Sequence, residues 1–275
     1  TKSGDVVLSE DVTYPGIRSI CARLNLRLVG LPSDAEGLDP AALDAAVSEY
    51  QPKALYLNPT LNNPTTRTIS LARRQSIADV IIAHGLPLIE DDAYGFIPPH
   101  PPAPLASFAP DLVWHIGGLA KCIGAGLRLA YAVAPNGHAA RELAHHIKII
   151  SVMPSPLMMA LATRWIVDGT ADGIRRFVRE ETLARQAIAS QALDGFHFES
   201  APYAFNVWLH LPEGITRAEM IGRMAGTGVG IMPSDAFTVS GNPAEAIRVC
   251  LGGQIQRSQL RDAMGLLAYI MSSSD

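Results

Sequence analysis

Ile116-Gly117-Gly118-Leu119-Ala120-Lys121, followed by Gly126-Leu127-Arg128-Leu129-Ala130-Tyr131, is the stretch on which the reading of this chain turns. An apolar run (Leu112, Val113, Trp114, Ile116) ends at two glycines, a lysine stands at its mouth, and a second apolar run begins shortly after. A connection of about ten residues is short for a parallel crossover, so the second run, 127–134, is expected to turn back antiparallel, with Lys121 in the turn. A lysine amine at the mouth of a buried strand is expected to be poorly solvated, which lowers its pKa and makes it a nucleophile toward an aldehyde. Arg128, seven residues on, is suited to hold a phosphate.

Upstream, the polar groups of Asn63-Pro64-Thr65 and Glu90-Asp91-Asp92-Ala93-Tyr94 each follow another strand-like apolar run. Short β-rich runs at 6–8, 26–31, 54–57 and 86–89 alternate with helical periodicity near 17–24, 40–50 and 71–84. This βαβ alternation predicts an α/β fold, a mainly parallel sheet with helices on both faces and ligands at the carboxyl ends of its strands. After Pro135 the pattern changes to long helices at 139–150, 156–167 and 171–193. Short strands at 205–209, 229–231 and 247–251 then alternate with helices at 217–225 and 256–270, which predicts a small C-terminal α+β domain. Asp168-Gly169 interrupts the helical pattern and is the expected boundary, giving domains 1–168 and 169–275.

The 275 residues are 48% hydrophobic, enough for one large or two modest domains at roughly 100 to 200 residues each. No apolar stretch reaches the ~18 residues of a membrane helix, and the first residues lack the marks of a signal peptide, so cytoplasm is the expected location. A net charge of -4 without a basic run argues against nucleic-acid binding by this chain itself. Arg73-Arg74 and Arg175-Arg176 fall in helical patterns and read as solvated helix faces. Pro98 to Pro104 reads as an extended surface loop. Cys21, Cys122 and Cys250 lack paired spacing, and Cys122 reads as packing. Adjacent His145 and His146 point apart on a helix, and His84, His100 and His115 have no partner at ligand spacing, so no metal site is expected. Nucleophile-elbow, Walker and dinucleotide signatures are missing, and the glycines from Gly222 to Gly230 read as a helix end and turn.

The ordered series Asn63-Pro64-Thr65, Asp91 to Tyr94, Lys121, Arg128 and Arg248 (in Ala246-Ile247-Arg248-Val249) resembles the fold type I pyridoxal phosphate enzymes, the class I/II aminotransferases. The resemblance runs from Gly4 to about Leu267. The double acid in Glu90-Asp91-Asp92-Ala93-Tyr94 is similar to the aminotransferase-like domains of MocR/GntR-type transcriptional regulators and to their 2-aminoadipate aminotransferase relatives. It implies pyridoxal 5'-phosphate as cofactor and 1–168 as a partial large, cofactor-binding domain. Lys121 would carry the cofactor aldehyde as a Schiff base and later shuttle the substrate α-proton. Asp91 would pair with the pyridine nitrogen, and Asn63 and Tyr94 would donate to the phenolic oxygen. Arg128 would take the phosphate and Arg248 the substrate α-carboxylate, each through a planar fork. Tyr14, in Thr13-Tyr14-Pro15-Gly16, falls where the family stacks a ring on the pyridine. Taken singly these residues have plainer readings: a helix-capping acid, an Asn-Pro turn, a structural arginine, an aromatic packed on its own loop.

Departures from the pattern matter equally. Ala120 and Gly118 stand where the family usually carries hydroxyl residues before the lysine, so phosphate binding is expected to be weakened. Thr66 stands at a position that often favours glycine. Gly4 to Leu8 resembles a segment well inside the family's large domain, after a glycine-rich turn and helix whose N-terminus binds the phosphate. The N-terminal part of that domain is therefore expected to be absent here, with any helix-turn-helix domain further upstream. Two functions follow from the resemblance. The first is an effector domain of a MocR/GntR-type regulator, sensing an amino acid or amine while an upstream domain contacts DNA. The alternative is an amino acid aminotransferase. A homodimer is expected, because family sites are built at a two-fold interface and the helices after Pro135 are apolar.

Overall fold

Runs such as Ala54-Leu55-Tyr56-Leu57 are too short for stable helices and apolar at every position, the pattern of a strand covered on both faces. The computed structural model describes residues 1–227 and 229–272; Gly228, within the glycine cluster read as a helix end and turn, and residues 273–275 lie outside the described residues.

The chain runs β1 (Val6–Glu10), α1 (Pro15–Arg23), β2 (Arg27–Leu31), the small hairpin β3 (Ser33–Asp34) and β4 (Gly37–Leu38), α2 (Pro40–Tyr50), β5 (Ala54–Leu57) and α3 (Leu71–His84). It continues through β6 (Leu88–Asp92), β7 (Val113–Gly118), β8 (Ala130–Val133), α4 (Gly137–Ser151), α5 (Pro156–Val167) and α6 (Thr170–Ala192). The last part holds β9 (Phe198–Glu199), β10 (Asn206–His210), α7 (Arg217–Met224), β11 (Ile231–Pro233), β12 (Ala246–Cys250) and α8 (Arg257–Ser272).

Six strands form the first sheet in the order β2-β1-β5-β6-β7-β8. All its pairs are parallel except β7 with β8, which run antiparallel as the short connection requires. One face (Leu8, Leu55, Leu57, Leu88, Val113) packs on Leu43 of α2 and Ile77 and Ile81 of α3. The alternate residues Val7 and Tyr56 pack on Ile17 and Cys21 of α1. The second sheet is antiparallel, β11-β12-β10-β9, and buries Val207, Leu209, Ile247 and Val249 against α6, α7 and α8.

Local chemistry sets the helix ends. Asp39 accepts from Ala41 N with Pro40 in the first turn of α2, and Ser70 accepts from Arg73 N at the start of α3, which Gly85 closes in the left-handed region. Some expected boundaries shift. β6 runs on through Asp92, pairing Glu90, Asp91 and Asp92 with His115, Ile116 and Gly117, so the acids lie in the strand rather than after it. β11 begins at Ile231, later than expected. The two-residue strands β3, β4 and β9 are too short to leave a periodic signal.

Arg73-Arg74 is not a solvated face. Arg74 is 0% exposed. Its guanidinium donates to the carbonyl oxygens of Ile69 (3.0 Å), Pro59 (3.0 Å) and Ala103 (3.2 Å) and to Thr60 Oγ1 (3.0 Å), and lies 3.7 Å from Glu90. Arg73 pairs with Asp34 at 2.8 Å and donates to the Leu38 carbonyl. The reason is that α3 overlies irregular backbone whose carbonyls have no strand or helix partner, and a buried guanidinium supplies the donors. Glu90 completes this clamp by accepting from Leu105 N (2.7 Å), Ala106 N (3.1 Å) and His115 Nδ1 (3.0 Å), which ties the end of the proline-rich segment to the sheet.

Glu10, at the end of β1, is buried and accepts from Ser33 Oγ and Asn62 Nδ2, both at 3.0 Å. Burial pushes its carboxyl from 4.5 up to about 7. The folded chain therefore keeps a proton over a range in which the unfolded chain has released it. That contribution to stability is full below pH 4.5 and is lost as the pH rises through about 7. Glu10→Gln lacks the dependence. Over that interval its stability should rise relative to the wild type by about 3 kcal/mol, at roughly 1.4 kcal/mol per pKa unit. Urea unfolding at a series of pH values checks this, and a pH-independent difference would contradict it.

Candidate active site

Parallel strands present their carboxyl ends on one edge of the sheet, and there β5, β6 and β7 deliver Asn58, Asp91 and the turn carrying Lys121. Together with Tyr14, Asn63, Ala93 and Tyr94 these residues line a cavity of about 180 Å³. Tyr14, Asn63, Asp91, Tyr94 and Lys121, five of the residues singled out in the sequence, thus converge.

Along β6 successive side chains take opposite faces, so Glu90 and Asp92 turn toward Arg74 and His115 while Asp91 faces the cavity. Tyr56 Oη donates to Asp91 Oδ2 at 2.7 Å. Asn58 Nδ2 donates to the Asp91 carbonyl at 2.6 Å, and Asn58 Oδ1 accepts from Asn63 N at 2.9 Å, so one side chain joins the acid strand to the Asn63 turn. Burial pushes the Asp91 carboxyl above the ordinary carboxylate range, against the pull of the Tyr56 hydroxyl and the Ala93 N–H. Asp92 is raised as well, chiefly by burial.

The second sheet reaches the same place. Arg248, on β12, donates from Nη1 to Asn63 Oδ1 at 2.9 Å and from Nη2 to Met232 Sδ at 3.1 Å, with its guanidinium carbon 5.0 Å from the Phe237 ring centre. Arg248 Nε is buried without a hydrogen-bond partner among the described residues. Since arginine has no acceptor, the contacting atom of Asn63 is its oxygen, which leaves the Nδ2 hydrogens free to donate into the cavity. Asn206 Nδ2 donates to the Pro64 carbonyl at 2.6 Å, a second tie across the cis Asn63-Pro64 turn. Burial pushes the Tyr94 hydroxyl up to about 12, with Arg248 opposing, so it stays protonated and able to donate. Tyr14 precedes α1 and its ring lies over Gly16, where an added Cβ would meet ring atoms at 2.1 Å.

Lys121 and Arg128 both lie at the surface. Lys121 is exposed, because the turn holding it stands at the open side of the cavity; its amine lies 5.7 Å from the Tyr94 ring centre and 5.9 Å from that of Phe205. Arg128 does not line the cavity: it is exposed and left-handed at φ 51°, its backbone N–H donates to the Ala125 carbonyl, and its side chain makes no hydrogen bond or ion pair among the described residues. Thr66 is also left-handed, at φ 63°, and buried, so a β-branched residue occupies the strained position that glycine would fill without cost.

Sequence reasoning missed Tyr56, Asn58, Phe205, Met232 and Phe237. A signal existed for the first two. A tyrosine inside a buried apolar strand needs a partner for its hydroxyl, and Asn58 is the first polar residue past the carboxyl end of β5. For the other three, only the folding of the second sheet onto the first brings them near.

The model of the aminotransferase class I and II family matches residues 1–266. An HTH-type transcriptional regulator of Bacillus subtilis, YdeF, is 29% identical over 98% of this chain and 58% of its own length. A 2-aminoadipate transaminase of Thermus thermophilus is 26% identical over 90% of this chain and 64% of its own length. The chain thus spans less than two thirds of these relatives. Among solved structures, that of LysN, an alpha-aminoadipate aminotransferase from Thermus thermophilus complexed with N-(5'-phosphopyridoxyl)-L-leucine, superposes with a TM-score of 0.89 at 23% identity, over 98% of this chain and 72% of that one. The matched family and the shared fold carry one conclusion: the chain belongs to the class I and II aminotransferases.

Proposed function

We propose that this chain is the pyridoxal phosphate-binding, aminotransferase-like effector domain of a MocR/GntR-type transcriptional regulator, taking an amino acid or amine as ligand while a separate upstream domain contacts DNA. The observation that carries the reading is the convergence of Tyr14, Asn63, Asp91, Tyr94 and Lys121 on one cavity beside Arg248. The similarity to a regulator over 98% of this chain supports the regulatory half of it. We divide the chain at Asp168-Gly169 into a large cofactor-binding part and a small part that contributes Arg248. No helix among the described residues is long and apolar enough to cross a membrane, and we place the protein in the cytoplasm.

The donor set suits the ring end of the cofactor. When bound, pyridoxal phosphate supplies an electron sink for charge developing at a substrate α-carbon. Asp91 would hold the proton on the ring nitrogen. Asn63 Nδ2 and Tyr94 Oη would donate to the phenolic oxygen, and Tyr14 would cover the ring. Lys121 Nζ would hold the aldehyde carbon and, once released, move the substrate α-proton. The phosphate end is less well matched, since Ala120 and Gly118 offer no hydroxyl and Arg128 stands outside the cavity.

A catalytic reading, amino acid aminotransferase, is favoured by Arg248. Its buried Nε lacks a partner among the described residues, so the guanidinium keeps capacity for a substrate carboxylate. The 26% identity to a 2-aminoadipate transaminase supports the same reading. Conversion of bound pyridoxal phosphate to its amine form by an amino acid separates the two.

A homodimer is proposed from the surface. α4 buries none of its residues, and Ile149, Ile150, Val152, Met153 and Leu157 are all more than half exposed, an apolar patch that a lone copy leaves in water. Sedimentation over a dilution series should show reversible dimers, weakened in Ile150→Glu; a monomer at every concentration would contradict the assembly.

Titration with pyridoxal phosphate tests the cofactor. A near-violet absorption band should form in the wild-type chain and be lost in Lys121→Ala. No band in the wild type would sink the cofactor reading, and a band retained in the variant would sink the lysine assignment.

A further inference from the structure

One hydrogen bond in the cavity wall comes from a side chain that does not itself line the cavity. Tyr56 is opposite Ile89 in the parallel pairing of β5 with β6, and Asp91 is the next residue of β6 on the same face. A tyrosine is long enough to span that diagonal, and its hydroxyl meets Asp91 Oδ2 at 2.7 Å. The ring is 5% exposed, packed in the cluster of Val7, Ile17 and Cys21 against α1, so the hydroxyl is held from behind by the core.

We propose that Tyr56 is a positioning residue: its hydroxyl anchors one oxygen of the Asp91 carboxylate and keeps that group an oriented anion at the cavity wall, ready to pair with a cationic ring nitrogen.

Three observations support this. The Asp91 carboxyl is desolvated, so it needs donors to remain charged, and Tyr56 is the side chain that supplies one. Burial and the neighbouring Asp91 push the Tyr56 hydroxyl far upward, so it remains a donor throughout the working range of pH. Asn58 fixes the backbone at the same residue through the Asp91 carbonyl, so strand and side chain are restrained separately. The other titratable groups on this wall are Tyr14, Tyr94 and Lys121, with Arg248 beyond Asn63 and with Asp92, Glu90 and His115 on the opposite face of β6. The role toward a ring nitrogen rests on the cofactor reading above; the hold on Asp91 does not.

The test therefore has two arms. In the first, carboxyl carbons of the cofactor-free chain are titrated by NMR, with Asp91 identified by the signal lost in Asp91→Asn. Tyr56→Phe keeps the ring and removes only the donor, and should raise the Asp91 midpoint by about one pH unit, tenfold in its ionisation constant. Site-specific 3-fluorotyrosine at position 56, a stronger donor of nearly the same volume, should lower it. An unmoved midpoint in both would overturn the proposal.

In the second arm, pyridoxal phosphate affinity is followed by absorbance across pH. Tyr56→Phe should weaken binding about tenfold and move the acid limb to higher pH, and neither change should occur in an Asp91→Asn background. An equal loss in that background would overturn the proposal, since Tyr56 would then act without Asp91. A shifted Asp91 midpoint in a chain that gives no cofactor band would uphold the hold on Asp91 and sink the cofactor reading.

Discussion

The arrangement depends on the parity of β6. Glu90, Asp91 and Asp92 are consecutive acids in the interior of a parallel sheet, and alternation sends the outer two to one face and the middle one to the other. Each face must then satisfy what it receives. Glu90 is met by Arg74, His115 and two backbone N–H groups, and Asp91 by Tyr56 and the Ala93 N–H. A slip of one residue would bring Glu90 into the cavity and leave the Arg74 cluster with a single acid, so register is held from both faces at once.

The rest of the site is hung on that strand. Asn58 ties Asp91 to the Asn63 turn, Arg248 and Asn206 tie the same turn to the second sheet, and Arg248 leans on Phe237 and Met232. The Asn63-Pro64 turn is one of the places where the two sheets are joined, beside the Arg67–Glu199 pair and the Val12–Thr238 bridge. The bond from Arg248 to Asn63 Oδ1 links the second sheet to a side chain of the cavity wall. Burial of the acid in this frame raises its pKa, and hydrogen bonds limit the rise, so the charge of Asp91 is a balance between core packing and two donors.

Helix ends and the turn of the sheet were legible because their causes are local. Asp39-Pro40, Ser70 and Gly85 each terminate a helix with their own atoms, and the short link between the runs around Lys121 permits only an antiparallel return. Asn63, Asp91, Tyr94 and Lys121 were legible through the order of a known family series, and Tyr14 through the place where that family stacks a ring, rather than through periodicity. What escaped depends on distant partners. The burial of Arg74 follows from carbonyls at Pro59, Ile69 and Ala103, the role of Tyr56 from an acid on the neighbouring strand, and the exposure of Lys121 from the open side of a cavity. None of these has a signature within a window of sequence.

The central claim is that parity makes Asp91, and not its neighbour, the acid of the site. Equilibrium affinity for pyridoxal phosphate in Asp91→Asn and Asp92→Asn at neutral pH measures this directly. If Asp91 pairs with the ring nitrogen as proposed, removing its charge should weaken binding at least about tenfold, while removing the one on the opposite face should leave affinity near the wild-type value. Equal losses in the two variants, or the larger loss in Asp92→Asn, would contradict the assignment.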